Sequence, residues 1–146
     1  MNRLSSRGFS LVEMAIVLVV FGLVLAIGVP MLRGLTSAQQ LKGATENMAG
    51  QLRLAREIAI STSSPQTMHL FYNSFGGDYH IHNAGVVGGV WSLPRGVTYN
   101  WAAGTSSVYT FATDGRADVS GLVILQNTRG ELDTISVQTS GLVLTK

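Results

Sequence analysis

Nineteen consecutive residues without a charge, Met14 to Leu32, constrain this chain more than anything else in it. At 1.5 Å of rise per residue they make a helix of roughly 28 Å, about the thickness of a bilayer's hydrocarbon core. The chain is 46% hydrophobic and 12% charged, low in charge for a soluble protein, and most of that imbalance sits in this run. The 146 residues leave room for one domain. The formal net charge of +2 equals the contribution of Arg3 and Arg7. A chain without residues 1–8 is close to neutral, so the basic pI says little about a nucleic-acid partner. No cysteine is present, which excludes disulfides and thiolate metal sites.

Arg3 and Arg7 flank the run on its N-terminal side and favour a cytoplasmic N-terminus, with the residues after Leu32 on the far side; Arg33 and Lys42 are a mild counterweight. A plain transmembrane anchor fits, as does a secretory signal with Ala26 and Gly28 before a cut. Two features point elsewhere. Glu13 sits four residues after Phe9 at the mouth of the run. A carboxylate at mid-membrane costs about 3 kcal/mol on insertion scales, less near an end, and such a residue is usually functional and paired. Amphipathic helical patterning also continues directly behind the run, which a discarded signal does not need.

Gly8-Phe9-Ser10-Leu11-Val12-Glu13-Met14, with the apolar run behind it, resembles the class III signal of type IV pilins and type II secretion pseudopilins. The resemblance implies that a prepilin peptidase/N-methyltransferase cuts between Gly8 and Phe9 and methylates the new Phe9 amine. It implies a cleaved cytoplasmic leader (1–8), a transmembrane and filament-core half of a helix (9–32), and a periplasmic head (33–146). It makes Glu13 the assembly glutamate, pairing with the Phe9 amine of a neighbouring subunit. The physics agrees: Phe9 and Glu13 are i and i+4, and a desolvated carboxylate gains from a cation beside it.

Leu41, Ala44, Met48, Leu52, Ala55 and Ala59 recur at helical spacing, so the helix is expected to run to about Ile60, roughly 80 Å if unbroken. Lys42 with Glu46, and Arg53 with Glu57, are i,i+4 pairs off that stripe. Pro30 lies inside and predicts a bend. Ser61-Thr62-Ser63-Ser64-Pro65 ends the helix.

From Gln66 the period becomes two. Strands are expected at 66–72, 78–82, 89–93, 97–101, 108–112, 119–126, 134–138 and 142–145. Gly76-Gly77, Pro94-Arg95-Gly96, Asp114-Gly115 and Ser140-Gly141 are the turns. The expected class is α+β, a long N-terminal helix whose second half packs on antiparallel sheet. Gln51-Leu52-Arg53-Leu54-Ala55-Arg56-Glu57-Ile58-Ala59, Tyr109-Thr110-Phe111-Ala112-Thr113-Asp114-Gly115-Arg116-Ala117 and Gly141-Leu142-Val143 resemble the H-type minor pseudopilin (GspH/FimT) family. The glycine-rich 85–89 stretch departs from it.

No cofactor, metal or catalytic activity is expected. His80 and His82 share a strand face, and His69 is a candidate neighbour, but no acidic or thiol ligand stands beside them. Asp114 and Asp118 read as turn residues rather than a calcium site. Nucleic acid is not an expected partner: Arg95, Arg116, Arg129 and Lys146 are scattered, and acidic residues interleave with them.

The resemblance implies a minor pseudopilin of type II secretion, initiating or capping a periplasmic pseudopilus that drives protein export. The alternative is a minor or major pilin of a type IV pilus serving adhesion, twitching or DNA uptake; a monomeric anchored binding module is a third class. Implied partners are other pilin or pseudopilin subunits, the peptidase, an inner-membrane assembly platform and the lipid bilayer. The place is the bacterial inner membrane, single-pass, with the head periplasmic.

Replacing Gly8 by a bulky residue is expected to leave the leader attached; intact mass of the membrane-extracted chain still lacking residues 1–8 refutes this.

Overall fold

The computed structural model describes residues 10–70, 76–83, 86–102 and 104–146, the side chains of 27–35, 86 and 87 excepted. Two units are distinguished, one through Thr36 and one from Ser37 to Lys146, and each is described by itself.

The first helix, α1, spans Leu11–Thr62. Pro30 falls within it, among the residues whose side chains lie outside the description. The C-terminal end of α1 is closed by two bonds, Ser64 N–H to Ala59 O at 3.2 Å and Ser63 N–H to Ile60 O at 3.4 Å. That is the Schellman pattern, with Ser63 in the left-handed position at φ 50°. Serine is strained there where glycine would be at ease. Thr62 Oγ1 and Ser61 Oγ both donate to Ile58 O, at 2.7 and 3.2 Å, taking up another carbonyl of the last turn.

Eight strands follow: β1 (Gln66–Leu70), β2 (Tyr79–Asn83), β3 (Val86–Trp91), β4 (Val97–Tyr99), β5 (Val108–Phe111), β6 (Gly121–Asn127), β7 (Leu132–Val137) and β8 (Val143–Thr145). All eight expected strands are present. They form two four-stranded antiparallel sheets, ordered β3-β2-β1-β5 and β4-β6-β7-β8. Gly76, Gly96, Gly115 and Gly141, one from each expected turn, all have positive φ, between 79° and 86°.

The helical stripe and both sheets share one core. Leu41, Ala44, Met48, Leu52, Ala55 and Ala59 from α1 join Met68, Tyr109 and Phe111 of the first sheet and Leu125, Ile135 and Val137 of the second. Tyr109 is wholly buried; its hydroxyl closes no hydrogen bond among the described residues, and burial pushes its pKa up to about 12.

Three expectations need correction. The strand expected at 89–93 starts and ends earlier: Val86–Trp91 is one strand. A side chain at Gly89 would collide with the Trp91 indole, which stacks on Tyr79 at 5.7 Å, so Gly89 makes room for that ring. β7 begins two residues earlier than expected because Asn127 builds the turn before it, its Oδ1 accepting from Arg129 N–H and Glu131 N–H at 3.0 Å each. The helix pairs Lys42–Glu46 and Arg53–Glu57 are not closed; Arg116–Asp114, at 3.5 Å, is the ion pair among the described residues. Such exposed pairs gain only about 0.3–0.5 kcal/mol, and Arg53 has a better partner elsewhere.

Ser63→Gly is expected to stabilise the fold by about 0.5–1 kcal/mol by relieving the left-handed serine. It is read as a rise of a few degrees in thermal unfolding followed by circular dichroism; an unchanged or lower midpoint contradicts it.

Candidate assembly site

The N-terminal unit offers a helix surface that is apolar on every side. From Leu11 to Leu25 its large side chains are 41–86% exposed, Phe21 at 63% and Leu18 at 70% among them. A helix that is apolar all round calls for an apolar surrounding, either lipid or other helices. Among the described residues no helix is long and apolar enough to cross a membrane. The span Met14–Leu32 read from the sequence includes residues 27–32, whose side chains lie outside the description.

Glu13 stands in the first turn of this helix. Its Oε2 accepts from Ser10 N–H at 3.5 Å, while Met14 N–H donates to Ser10 O at 3.2 Å. This is the reciprocal half of a capping box: Ser10 is the N-cap, and Glu13, at N3, reaches back to it. Sequence reasoning missed this role, although the Ser-x-x-Glu spacing announces it. The carboxylate also favours the positive end of the helix dipole. The bond is long and uses one oxygen; the other has no partner among the described residues. Gly8 and Phe9, the expected cleavage and methylation residues, lie outside the described residues.

In the head, the three stretches that carry the H-type resemblance meet. Arg56 Nε donates to Gly115 O at 3.0 Å, and Arg53 Nη2 donates to Val143 O at 3.0 Å. Gly141 is so close to Gly115 that a Cβ there would overlap the Gly115 carbonyl. One helix face thus fastens both the turn after β5 and the strand β8. Asp114 and Asp118 serve turns, as expected: Asp114 Oδ1 accepts from Arg116 N–H at 3.0 Å, and Asp118 Oδ1 accepts from Thr110 and Val119 N–H at 2.9 and 2.8 Å. Lys146 has acidic neighbours. It lines a cleft of about 390 Å³ together with Lys42, Glu46, Glu131 and Asp133.

The prokaryotic N-terminal methylation motif matches residues 3–29. No curated protein sequence matches the chain. Among solved structures, the type IV minor pilin FimU of Pseudomonas aeruginosa is similar in two crystal forms. One has a TM-score of 0.58 at 16% identity, covering 77% of this chain and 92% of FimU. The other has a TM-score of 0.56 at 16% identity, covering 73% and 92%. The minor pseudopilin EpsH of the Vibrio cholerae type 2 secretion system is similar with a TM-score of 0.54 at 11% identity, covering 73% of this chain and 96% of EpsH. Likenesses at these identities carry the fold, which is the α+β pilin fold. The chain thus carries the N-terminal methylation motif and has the pilin-like α+β fold seen in both FimU and EpsH.

Gly141→Ala is expected to lose on the order of 3 kcal/mol, from the overlap with Gly115 and the positive φ together. Gly130→Ala, at φ 82° with nothing nearer its Cβ than Gln126 Nε2 at 3.6 Å, should lose only about 1 kcal/mol. Equal losses in thermal denaturation would remove the steric fastening from the explanation.

Proposed function

We propose that this protein is a minor subunit of a type II secretion pseudopilus, held in the inner membrane by the apolar first part of α1. Its role is structural, initiating or capping the filament whose growth drives protein export. The observation that carries the reading is the helix that is exposed and apolar on all sides, with a single carboxylate, Glu13, at its start. Removal of residues 1–8 by prepilin peptidase frees the Phe9 amine, protonated near neutral pH and methylated. The Glu13 carboxylate of one subunit then takes the Phe9 amine of its neighbour. An isolated carboxylate among apolar helices is costly, so only a register that supplies this cation is tolerated. The capping bond to Ser10 is weak enough at 3.5 Å to be given up for it. Pro30 supplies a bend or loosening where the helix leaves the membrane.

A second reading, a minor pilin of a type IV pilus, is favoured by the likeness to FimU. Both readings share the Glu13 chemistry and differ in the machine that the inner-membrane platform belongs to.

The test replaces Glu13 by alanine in the native host. The variant is expected to reach the membrane and lose its leader, yet to be at least about tenfold depleted from sheared filaments. Wild-type recovery in filaments refutes the assembly role. Export of folded proteins into the medium, with surface pili intact, should fail in the same strain; loss of pili with export preserved selects the second reading.

A further inference from the structure

The first sheet carries an unusual set of titratable groups. Along β1, β2, β3 and β5 these are His69, His80, His82, Tyr79 and Tyr109, with no carboxylate, lysine or arginine. Antiparallel register sets His69 opposite His80 and Thr67 opposite His82, which gathers three imidazoles on one face. Their rings stack near-parallel: His69 on His80 at 5.2 Å and 5°, His69 on His82 at 4.7 Å and 22°, His80 on His82 at 5.8 Å and 27°. His80 is 2% exposed. Ring nitrogens in near-parallel planes do not converge on a point, and among the described residues no group of three or more His, Cys, Asp or Glu is placed to hold a metal ion. What the stack offers is three titratable rings held against one another.

Several neighbouring groups lie on the described elements. Tyr79 and Tyr109 belong to the core face of the sheet. Asp78 precedes β2; its Oδ2 accepts from Leu93 N–H at 2.7 Å, and its charge acts on Tyr79. Val90 on β3 and Val108 on β5 occupy the positions paired with His80 and His69. Among the described residues β3 is the edge strand beyond β2, and the β2–β3 ladder already carries a bulge between Ile81 and His82.

We propose that the His69–His80–His82 stack is an acid-sensitive latch: neutral, it holds the β2–β3 hairpin on β1; protonated, its like charges release that hairpin while the second sheet stays folded. Burial first, then His82 and His80, lowers the pKa of His69 from 6.5; burial, then His82, lowers that of His80. A histidine lowered in the folded state binds its proton more readily once the strand opens. The latch is thus fully closed above about pH 6.5 and weakens as the pH falls from there toward the lowered values, below which the loss is complete.

Hydrogen exchange on the full chain in detergent micelles, at about pH 7.5 and about pH 5, tests the latch. Protection factors of β2 and β3 amides should fall at least about tenfold at the lower pH, those of β6 and β7 much less. In the double variant H69T/H82T that fall should shrink to less than half on a logarithmic scale. Unchanged protection, a uniform loss over both sheets, or the same fall in the double variant overturns the latch. Should the double variant not fold, the ring resonances of the native chain decide: midpoints for His69 and His80 below 6.5 support the latch, and a midpoint at or above 6.5 for either overturns it.

Discussion

Two small sheets with apolar inner faces can be stable only if something covers both, and one stripe of α1 does so. The stripe alternates large and small residues: Met48 and Leu52 with Ala44, Ala55 and Ala59, all but Leu41 and Ala44 completely buried. The alanines let the helix lie close, and the large residues are buried in the core shared with both sheets. At about 25 cal/mol per Å² of apolar area, this shared core is the main source of stability in a head without disulfides. Turn geometry, the position of β8 and the spacing of the fastening arginines are all set relative to that stripe.

The same helix answers a different demand further upstream. Between Leu11 and Leu25 the apolar residues follow no stripe, so no single sheet could cover them. A continuous apolar circumference is a poor surface in water and a good one among lipids or packed helices. Glu13 is the exception in that surface. In the proposed filament its carboxylate would set the register, since apolar packing alone tolerates axial sliding by a turn and a carboxylate that needs a cation does not.

How far residues alone revealed this differs by level. Period-two alternation located all eight strands, since each has an inner face in the core, and glycines at positive φ marked the turns. The division into two sheets was not legible, because alternation reports which residues face inward and not which strand lies beside which. The start of β3 was lost to glycines that usually break strands, whereas Gly89 serves the Trp91 ring. Arg53 and Arg56 looked like surface charges on a helix; their carbonyl partners lie 90 and 59 residues away, a distance no local pattern crosses. At the start of the helix the bond between Glu13 and Ser10 was overlooked, although Ser-x-x-Glu is a local signal.

Those long-range bonds give the H-type resemblance a physical content. Arg56, Gly115 and Gly141 come from three separate stretches, yet each is needed by the others. Gly141 must lack a side chain because Gly115 O approaches it, and Gly115 must lack one because Ile60 and Arg56 crowd it. Arg56 Nε satisfies the carbonyl that this close approach would otherwise leave buried. A change in any one of the three strains the other two, so the stretches are expected to occur together or not at all. Such a fastening ties the chain's last strand to the helix without cysteine. It does by hydrogen bonds and close backbone contact what a terminal disulfide would do by a covalent link.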